Sequence, residues 1–498
     1  MENTKGTIVL VGFYNFKALG VRYLETALCK AGYRVVTIFY KDFNSVRPSL
    51  TTEKELSLLC DLVAGEKPLM VGLSAMSSMY MDTVHAVMNS LKEKCDVTLV
   101  AGGAYVSMFP AKLLDLGADF VIRSDGENAI TELADCLRSG ADFRNILSLG
   151  YHGETGNVLN DIGGLPDNID TYGLPALQCS NGYYIENDTL RAGDPQLLTR
   201  SYEVIASRGC PYTCSYCCCV NLHRLMPKGT PSVRSRSVES VISELKIAKK
   251  TFPKLAFVHF YDEIFPTTPG WVEQFVAEYK KEIKLPFTIW SHPKMVNPDM
   301  LAKLKAAGLM EVIMGIQSGS EHIRKDVFHR YETTQDILNA AKYIKDAGIF
   351  WASYDFMLQH PFESLEDLKD TFYLVQKMDG HFELQLHGLN FLPGTDIVPM
   401  AVKEGLLTQE EIDAIMYAPM ENQFSAYWAL NKSRESQLWF QLIYCLQFKP
   451  LRKKTEQYAA DPLKFDNDID KLFAIGQKLS KFRYYYKKGI IVIRSKIM

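Results

Sequence analysis

The chain has 498 residues, of which 47% are hydrophobic and 23% are charged, and its formal net charge at pH 7 is −3. This length exceeds the size at which a single hydrophobic core stops growing, so we expect a soluble globular protein of two or three domains. The near-neutral charge excludes a general electrostatic attraction to nucleic acid or to a membrane surface.

The amino terminus and the cysteines indicate the compartment. Residues 1–6 lead directly into a strand-like run without the architecture of a signal peptide, and no apolar run approaches the roughly 18 residues of a membrane span. We therefore expect a cytoplasmic protein without a transmembrane segment. In that compartment the 11 cysteines are interpreted as thiols, and five of them lie between Cys210 and Cys219.

The first 140 residues alternate apolar strand-like runs with amphipathic helices. Predicted strands occupy residues 7–13, 34–40, 69–75, 97–101 and 120–123. Predicted helices occupy residues 19–30, closed by Gly32, and residues 82–94. This order predicts an α/β domain over residues 1–140 with a Rossmann-like (flavodoxin-like), doubly wound sheet. Such sheets bind their ligands beyond the carboxyl ends of the strands.

Small and polar residues follow several of these strands. The candidate ligand-binding residues are Tyr14, Ser74, Ser77, Gly102, Gly103 and Ala104. Glycines and serines at strand ends let a bulky ligand approach the backbone closely. On the residues alone, a plain flavodoxin-like module whose glycines only turn the chain is an equal alternative.

Three segments carry a resemblance: V-G-L-S at 71–74, A-G-G-A at 101–104 and I-R-S-D-G-E at 122–127. With them the domain resembles the cobalamin-binding domain of cobalamin-dependent radical S-adenosylmethionine (SAM) enzymes, which implies bound cobalamin, in the form of methylcobalamin. The histidine-bearing D-x-H-x-x-G loop of cobalamin mutases would fall at residues 12–20, which contain no histidine. We therefore expect no histidine ligand to cobalt from this loop, and Tyr14 or Asn15 nearest to its lower face.

Residues 141–200 are rich in glycine, asparagine, aspartate and proline, and we interpret them as a linker between domains. From residue 201 the alternation resumes. A first strand ends at Ser207, and further strands are predicted at 255–261, 287–291, 312–317, 349–358 and 383–391. Predicted helices begin after the N-cap Ser237 and span 271–281, 298–307, 334–347 and 365–378. These units predict a partial (β/α)6 TIM-type barrel over residues 201–395, with its site at the strand carboxyl ends.

The first barrel strand leads into a C-x3-C-x2-C loop. Its cysteines are Cys210, Cys214 and Cys217. Three thiolates this close can bind one iron–sulfur cluster and leave one iron open to a further ligand. A zinc site completed by Cys218, Cys219 or His223 is the alternative, although zinc sites usually pair two knuckles. Because adjacent residues point in different directions, we interpret Cys218 and Cys219 as non-ligands that line a pocket.

Motifs after later strands extend this pattern. They are Y-D-E-I-F at 261–265, G-I-Q-S-G-S at 315–320 and F-L-P-G-T at 391–395. Together with the cysteine loop they resemble the radical SAM superfamily over residues 201–395. The resemblance implies that the three cysteines ligate a [4Fe-4S] cluster whose open iron chelates the amino and carboxylate groups of SAM.

The same resemblance implies contacts to SAM. Tyr216 would flank the adenine, and Glu263 or Asp262 would receive the methionine ammonium. Ser291 and Gln317 would hold the ribose or the carboxylate. Two departures stand out: many members have Glu at the position of Gln317, and the fifth strand is followed by L-Q-H-P-F-E-S at 358–364, where the family often has G-x-P-x-E-T.

Four other residues near the strand ends are candidates for chemistry. Tyr354 could donate a hydrogen atom or orient substrate as a catalytic residue, although a single aromatic residue in a strand more often packs in the core. The histidines His292, His360 and His387 could act as acids or bases, or be hydrogen-bonded structural residues.

Residues 396–498 predict a mainly helical C-terminal domain associated with the substrate. Its segment 425–447 is rich in aromatic residues, and its tail is basic and aromatic at 481–488. This tail could grip an acidic, lipidic or peptide substrate, or it could be the solvated end of a helical cap.

The two resemblances together imply a cobalamin-dependent radical SAM methyltransferase. In such an enzyme a 5′-deoxyadenosyl radical abstracts hydrogen from an unactivated carbon, and methylcobalamin then delivers a methyl group. The alternatives are a cyclase or rearrangement enzyme with the same cofactors, and a non-catalytic cobalamin-binding or sensing protein. The substrate class (small molecule, peptide or lipid) stays open, and an external reductant such as flavodoxin or ferredoxin is implied.

Overall fold

The computed structural model describes residues 4–44, 49–423 and 432–497. Nine strands in its first half are β1 Thr7–Phe13, β2 Arg34–Tyr40, β3 Met70–Ser74, β4 Leu99–Gly102, β5 Phe120–Ile122, β6 Leu149–Gly153, β7 Gly156–Leu159, β8 Gly182–Glu186 and β9 Thr189–Ala192. They form one sheet in the order β7-β6-β5-β4-β3-β1-β2-β8-β9. The strands from β5 to β8 in this order pair in parallel, and the outer strands β6, β7 and β9 pair antiparallel.

Helices cover both faces of this sheet. They are α1 Leu19–Lys30, α2 Glu53–Glu66, α3 Met81–Cys95, α4 Ala104–Met108, α5 Pro110–Asp115 and α6 Glu127–Ser139. Alternate residues of β1 enter different cores: Val9 and Val11 pack with α2 and α3, whereas Ile8 and Leu10 pack with α1 and α6. The predicted doubly wound α/β fold is confirmed.

The segment 141–200, which we interpreted as a linker, supplies the four edge strands β6 to β9. β8 pairs in parallel with β2, and β6 pairs antiparallel with β5. All four residues of β7 and of β9 are exposed. Exposed strands of four or five residues give too short a pattern for hydrophobic periodicity to reveal them.

Six parallel strands form the second sheet, in chain order. They are β10 Ser201–Val204, β13 Phe257–Phe260, β14 Phe287–Ser291, β15 Leu309–Gln317, β16 Trp351–Met357 and β17 Glu383–His387. Outside them lie α8 Val238–Thr251, α9 Pro269–Glu278, α10 Pro298–Ala307, α11 Thr334–Asp346 and α12 Leu365–Lys377. A separate hairpin, β11 Ser207–Gly209 with β12 Val233–Ser235, and a helix, α7 Cys218–Arg224, follow the first strand.

The barrel strands alternate between two environments. On β15, Val312, Met314 and Ile316 belong to the core under the outer helices. The opposite face carries Glu311, which accepts hydrogen bonds from Thr288 Oγ1 at 3.1 Å and Ser353 Oγ at 2.9 Å. The partial barrel predicted from the sequence is confirmed, with a polar interior at its amino-terminal end.

The remaining described residues are helical. The helices are α13 Ile397–Lys403, α14 Gln409–Met416, Arg434–Cys445, Lys449–Tyr458 and Asp466–Ile497. Trp428 and the start of the predicted aromatic segment lie outside the described residues. Within residues 4–44, 49–423 and 432–497, no helix combines the length and the apolar character needed to cross a membrane.

The terminal helix reaches the interior of the barrel through Lys487, whose Nζ donates a hydrogen bond to Glu311 Oε1. The Glu311 side chain is only 3% exposed. We expect Lys487→Met to lower the free energy of unfolding by about 3 kcal/mol, because it leaves a buried carboxylate without its counter-charge. The shift in the urea midpoint measures this loss.

The matched control is Lys481→Met, which removes an exposed lysine from the same helix. It should change the stability by less than about 0.5 kcal/mol. Equal midpoints for the two variants would show that the helix does not stabilise the barrel through this ion pair.

Candidate functional site

The cysteine loop is held on both sides by the barrel. Ser215 donates from its backbone N to Phe328 O at 3.1 Å and from its Oγ to Val327 O at 2.6 Å. The Ile397 backbone N donates to Ser215 O at 3.0 Å. These contacts fix the loop at the carboxyl ends of the strands, where barrel sites lie.

The three cysteines of the loop lie in a partly buried setting. Burial raises the pKa of Cys210 to about 11. Burial also raises the pKa of Cys214, although Arg330 opposes this shift. Because the thiol form is favoured, loading a metal centre must release these protons. Among the described residues, no three His, Cys, Asp or Glu side chains are grouped to hold a single metal ion.

Arg330 is a cation beside these cysteines that the sequence motifs did not reveal. Its Nη1 lies 3.9 Å from Cys214 Sγ and 3.3 Å from Tyr216 Oη. Its Nη2 donates to Gly315 O at 2.7 Å, and its Nε donates to Glu332 Oε1 at 2.7 Å. Arg330 is 6% exposed, so its charge acts on the loop with little screening by solvent.

A buried histidine lies beside Glu332. The Nε2 atom of His292 lies 3.2 Å from Glu332 Oε2, and the His292 ring stacks on Tyr212 at 3.9 Å between centroids. Burial alone would raise the pKa of Glu332, but His292 and Arg330 outweigh it and lower that pKa to about 2. Glu332 therefore stays ionised and fixes Arg330 through Oε1, and its Oε2 lies within ion-pair distance of His292.

Tyr216 and Gln317 are brought to the same side of the cysteine loop through Arg330. Arg330 contacts the hydroxyl of Tyr216 and the carbonyl of Gly315. A Cβ added at Gly315 would lie 2.6 Å from Gln317 Nε2, so the absence of a side chain at residue 315 leaves room for the Gln317 amide. The structure thus groups two of the residues predicted to bind SAM.

Asp262 and Glu263 diverge after β13. Asp262 Oδ1 accepts from the Ala206 backbone N at 2.9 Å and from Ser207 Oγ at 2.6 Å, so this carboxyl secures the strand that leads to the cysteines. Burial raises the pKa of Asp262 to about 7. Glu263 instead lines a cavity between the two sheets. Between the two carboxylates proposed for the SAM ammonium, this placement favours Glu263.

Two predicted residues lie on the helix-facing side of their strands. Ser291 follows Phe287 and Ile289 in the alternation of β14, and both of those residues belong to the outer core. Tyr354 is 1% exposed, belongs to the same core and lies 5.4 Å from the Phe382 ring. The catalytic role predicted for Tyr354 does not fit this placement, because outward-facing residues of a barrel strand cannot reach the interior.

Of the other two candidate histidines, His360 packs against Phe328, whose carbonyl binds the cysteine loop, and His387 lies at the end of β17. His360 is 4% exposed, its ring lies 5.1 Å from Phe328, and burial lowers its pKa to about 3. Its imidazole is therefore neutral at pH 7, and neither ring nitrogen has a hydrogen-bond partner among the described residues. His387 ends β17 and is exposed.

A cavity between the nine-stranded sheet and the cysteine loop joins the two candidate cofactor regions. Its void, including the open mouth, is about 1510 Å³. On one side it is lined by the predicted strand-end residues Ser74, Gly102, Gly103 and Ala104. On the other side it is lined by Gly209, Cys219 and Glu263 from the region of the cysteine loop. Both regions therefore open into one space.

The cavity wall contains only some of the predicted strand-end residues. Tyr14 does not line the cavity: it is 4% exposed, and its hydroxyl lies 2.9 Å from both Thr83 Oγ1 and Ser49 O. Asn15 accepts from the Lys17 backbone N at 2.9 Å, and Ser77 accepts from the Met79 backbone N at 3.2 Å. Tyr14, Asn15 and Ser77 are therefore not part of the cavity wall.

The cavity wall suits a large ligand with an apolar ring and a polar rim. Gly103 has a φ of 113°, and a Cβ there would lie 2.6 Å from Ala75 O, so only glycine fits this turn. A Cβ at Gly102 would meet nothing closer than 3.7 Å, which leaves space on the cavity side. The loop at residues 12–20 contains no histidine, but His223 of α7 lines the opposite wall of the cavity.

Ion pairs connect the two sheets at this cavity. Arg208, two residues before Cys210, contacts Asp125 Oδ1 at 3.0 Å and Glu127 Oε1 at 2.6 Å. Arg234 contacts Asp125 Oδ2 at 2.7 Å. Burial opposes ionisation of Asp125, but the two arginines outweigh it and keep its pKa below the usual value. This interdomain network connects the predicted cobalamin-binding edge to the cysteine loop.

Two protein-family models match the chain. The B12 binding domain matches residues 7–134, and the Radical SAM superfamily matches residues 204–375. Among curated proteins, the chain is 26% identical over 364 residues to an uncharacterized methyltransferase of Pyrococcus horikoshii, covering 72% of this chain and 74% of that protein. It is 22% identical over 372 residues to an anaerobic magnesium-protoporphyrin IX monomethyl ester cyclase of Rubrivivax gelatinosus, covering 73% and 62%.

Solved structures share the fold. The radical SAM methyltransferase TsrM of Kitasatospora setae, with tryptophan substrate and a SAM analogue bound, aligns with a TM-score of 0.62 at 18% identity over 80% of this chain and 76% of that one. The cobalamin-dependent SAM radical enzyme OxsB, with aqua-cobalamin and SAM bound, aligns with a TM-score of 0.65 at 13% identity over 98% and 83%. At these identities the likeness concerns the arrangement of the two sheets and the helical region.

Proposed function

Because the chain belongs to the cobalamin-dependent radical SAM enzymes, we propose that it is a methyltransferase that acts on a carbon or, as a rarer case, a phosphorus atom of its substrate. The observation that carries this proposal is the single cavity that reaches both the strand ends of the first sheet and the region of the cysteine loop. The match to a curated methyltransferase supports it. When bound, the cofactors supply a 5′-deoxyadenosyl radical and a transferable methyl group.

The residues of the chain hold and shield these groups. In our proposal Cys210, Cys214 and Cys217 ligate the [4Fe-4S] cluster, and Arg330 neutralises charge beside Cys214. Tyr216, Glu263 and Gln317 contact SAM. Gly102, Gly103 and Ala104 carry the corrin, while apolar cavity residues such as Leu19 and Leu222 exclude water from the reacting atoms.

The partial reaction tests the proposal without knowledge of the substrate. Reconstituted protein, loaded with hydroxocobalamin and reduced anaerobically, is incubated with SAM that carries a trideuterated methyl group. We expect S-adenosylhomocysteine and deuterated methylcobalamin to form together, because a cobalamin-dependent methyltransferase must remethylate its own cobalamin. Mass spectrometry of both products measures the reaction.

A cyclase or rearrangement enzyme is the second candidate, favoured by the match to a cyclase. Such an enzyme would yield 5′-deoxyadenosine without methylcobalamin. This result would contradict methyl transfer and favour the cyclase. Absence of all three SAM products would instead favour a cobalamin-binding or sensing protein.

We further infer a cytoplasmic protein that receives single electrons from flavodoxin or ferredoxin. The match to radical SAM enzymes supports the need for such a reductant. The substrate is a small molecule, a peptide or a lipid. Replacing dithionite with reduced flavodoxin in the assay above tests the electron donor, and fractionation of the native cells tests the location.

A further inference from the structure

Glu127 occupies a special position in the wall of the interdomain cavity. It is the first residue of α6 and is separated from the end of β5 at Ile122 by a four-residue turn. It lines the cavity together with Gly102 and Ser124, yet it is only 4% exposed. A carboxylate is seldom buried to this extent unless its oxygens are hydrogen-bonded.

Arg208 holds the Glu127 carboxylate in one orientation. Arg208 Nη2 donates to Glu127 Oε1 at 2.6 Å, while Nη1 lies 3.0 Å from Asp125 Oδ1. The guanidinium carbon of Arg208 lies 4.9 Å from the ring centre of Tyr23 and 5.1 Å from that of Tyr172. With the guanidinium fixed by two carboxylates and two aromatic rings, Glu127 cannot turn to exchange its oxygens without breaking this ion pair.

The other oxygen, Glu127 Oε2, is buried and has no hydrogen-bond donor among the described residues. Asp125, the neighbouring carboxylate, is different, because Arg208, Arg234 and Tyr172 Oη all contact it. A buried charged acceptor without a donor is costly, and nearly all such atoms in proteins are paired. Because Glu127 lines the cavity, the missing donor is expected on the molecule that fills it.

We propose that Glu127 is a corrin-binding residue whose Oε2 accepts a hydrogen bond from a side-chain carboxamide at the rim of cobalamin. The chemistry matches on both sides. The corrin carries primary carboxamides as neutral N–H donors around an apolar ring. Besides the charged residues Arg208 and Asp125, the cavity that Glu127 lines has glycines and apolar residues such as Leu10, Val21 and Ile130 in its wall. The inference rests on the cobalamin site and is independent of methyl transfer.

The test compares two corrins that differ in their N–H donors. Dicyanocobinamide carries carboxamides, whereas dicyano-cobyrinic acid heptamethyl ester carries esters that cannot donate. Their dissociation constants are measured by fluorescence quenching of the full-length, cluster-reconstituted protein. The wild-type protein should bind the amide corrin more tightly, so the dissociation constant of the ester corrin divided by that of the amide corrin is large. We expect this ratio to fall on the order of tenfold in Glu127→Ala, because the charged acceptor is lost, and by a smaller factor in Glu127→Gln, which keeps a neutral acceptor.

Two matched variants separate this role from the ion pair. Asp125→Asn weakens the same network without changing Oε2, and Glu132→Gln removes an exposed carboxylate of α6. Both variants should keep the wild-type ratio of dissociation constants. An unchanged dissociation constant for the ester corrin in Glu127→Ala shows that the cavity is still formed.

The proposal is overturned if Glu127→Ala keeps the wild-type ratio, or if Asp125→Asn lowers it equally. If the wild-type protein binds neither corrin, the proposal fails together with the cobalamin site. A wild-type protein that discriminates between the corrins but transfers no methyl group leaves the role of Glu127 intact and contradicts only the proposed reaction.

Discussion

Replacing Cys214 with alanine is expected to abolish cluster binding and, with it, cleavage of SAM. A cubane held by three thiolates has no spare protein ligand, so one lost thiolate leaves two open irons and a cluster that dissociates. The loop itself should persist, because Ser215 stays bonded to Phe328, Val327 and Ile397 through its backbone and hydroxyl. The measurements are iron and sulfide content after anaerobic reconstitution, the visible iron–sulfur absorption, and 5′-deoxyadenosine formed under dithionite.

The matched controls are Cys218→Ala and Cys219→Ala. Cys218 begins α7 and Cys219 lines the interdomain cavity. We interpret both as non-ligands, because adjacent residues point in different directions. Both variants should keep the wild-type iron content and should still cleave SAM. If Cys219→Ala lost the cluster while Cys217→Ala kept it, the ligand set would have to be reassigned.

Much of the fold follows from local patterns in the sequence. The strand at 287–291 and the helices at 19–30 and 298–307 have the predicted bounds, and Ser237 caps α8 by accepting from the Ser240 backbone N at 3.1 Å. Buried parallel strands are continuous apolar runs, which their short length and the turn residues on either side identify. The helix α2 was missed, although its capping box of Thr52 and Glu55 is a local signal that could have revealed it.

The candidate site was predictable where it consists of motifs, and not where it depends on distant pairs. The cysteine spacing and the glycines at the strand ends are readable in the sequence. Arg208 meets Glu127 across 81 positions, and Arg330 meets Cys214 across 116 positions, so no local pattern links them. The sequence around Tyr354 does indicate its placement. The polar residues Ser353 and Asp355 flank it, and this alternation indicates that Tyr354 faces the helices.

Arg330 is the residue outside the motifs from which we expect the largest effect. Its guanidinium lies beside Cys214 and Tyr216 and is fixed by Glu332, which His292 supports in turn. A cation at this distance favours thiolates over thiols and stabilises the reduced, more negative form of a cluster. Partners of metal ligands commonly change metal affinity or activity by about 10–100-fold when they are replaced.

We therefore expect Arg330→Met to make the cluster reduction potential more negative and to slow SAM cleavage on the order of 10–100-fold. Arg330→Lys keeps the positive charge but loses the guanidinium fork that spans Glu332 and Gly315. We therefore expect its cluster reduction potential to stay near the wild-type value, while its rate of SAM cleavage still falls. Electron paramagnetic resonance during a redox titration gives the potential, and 5′-deoxyadenosine formation gives the rate.

Lys325→Met, at an exposed lysine in the segment that leads to Arg330, serves as the control and should change neither quantity. An Arg330→Met protein with the wild-type potential would show that this arginine supports only the fold of the loop, because removing a cation that acts on the cluster must shift its potential.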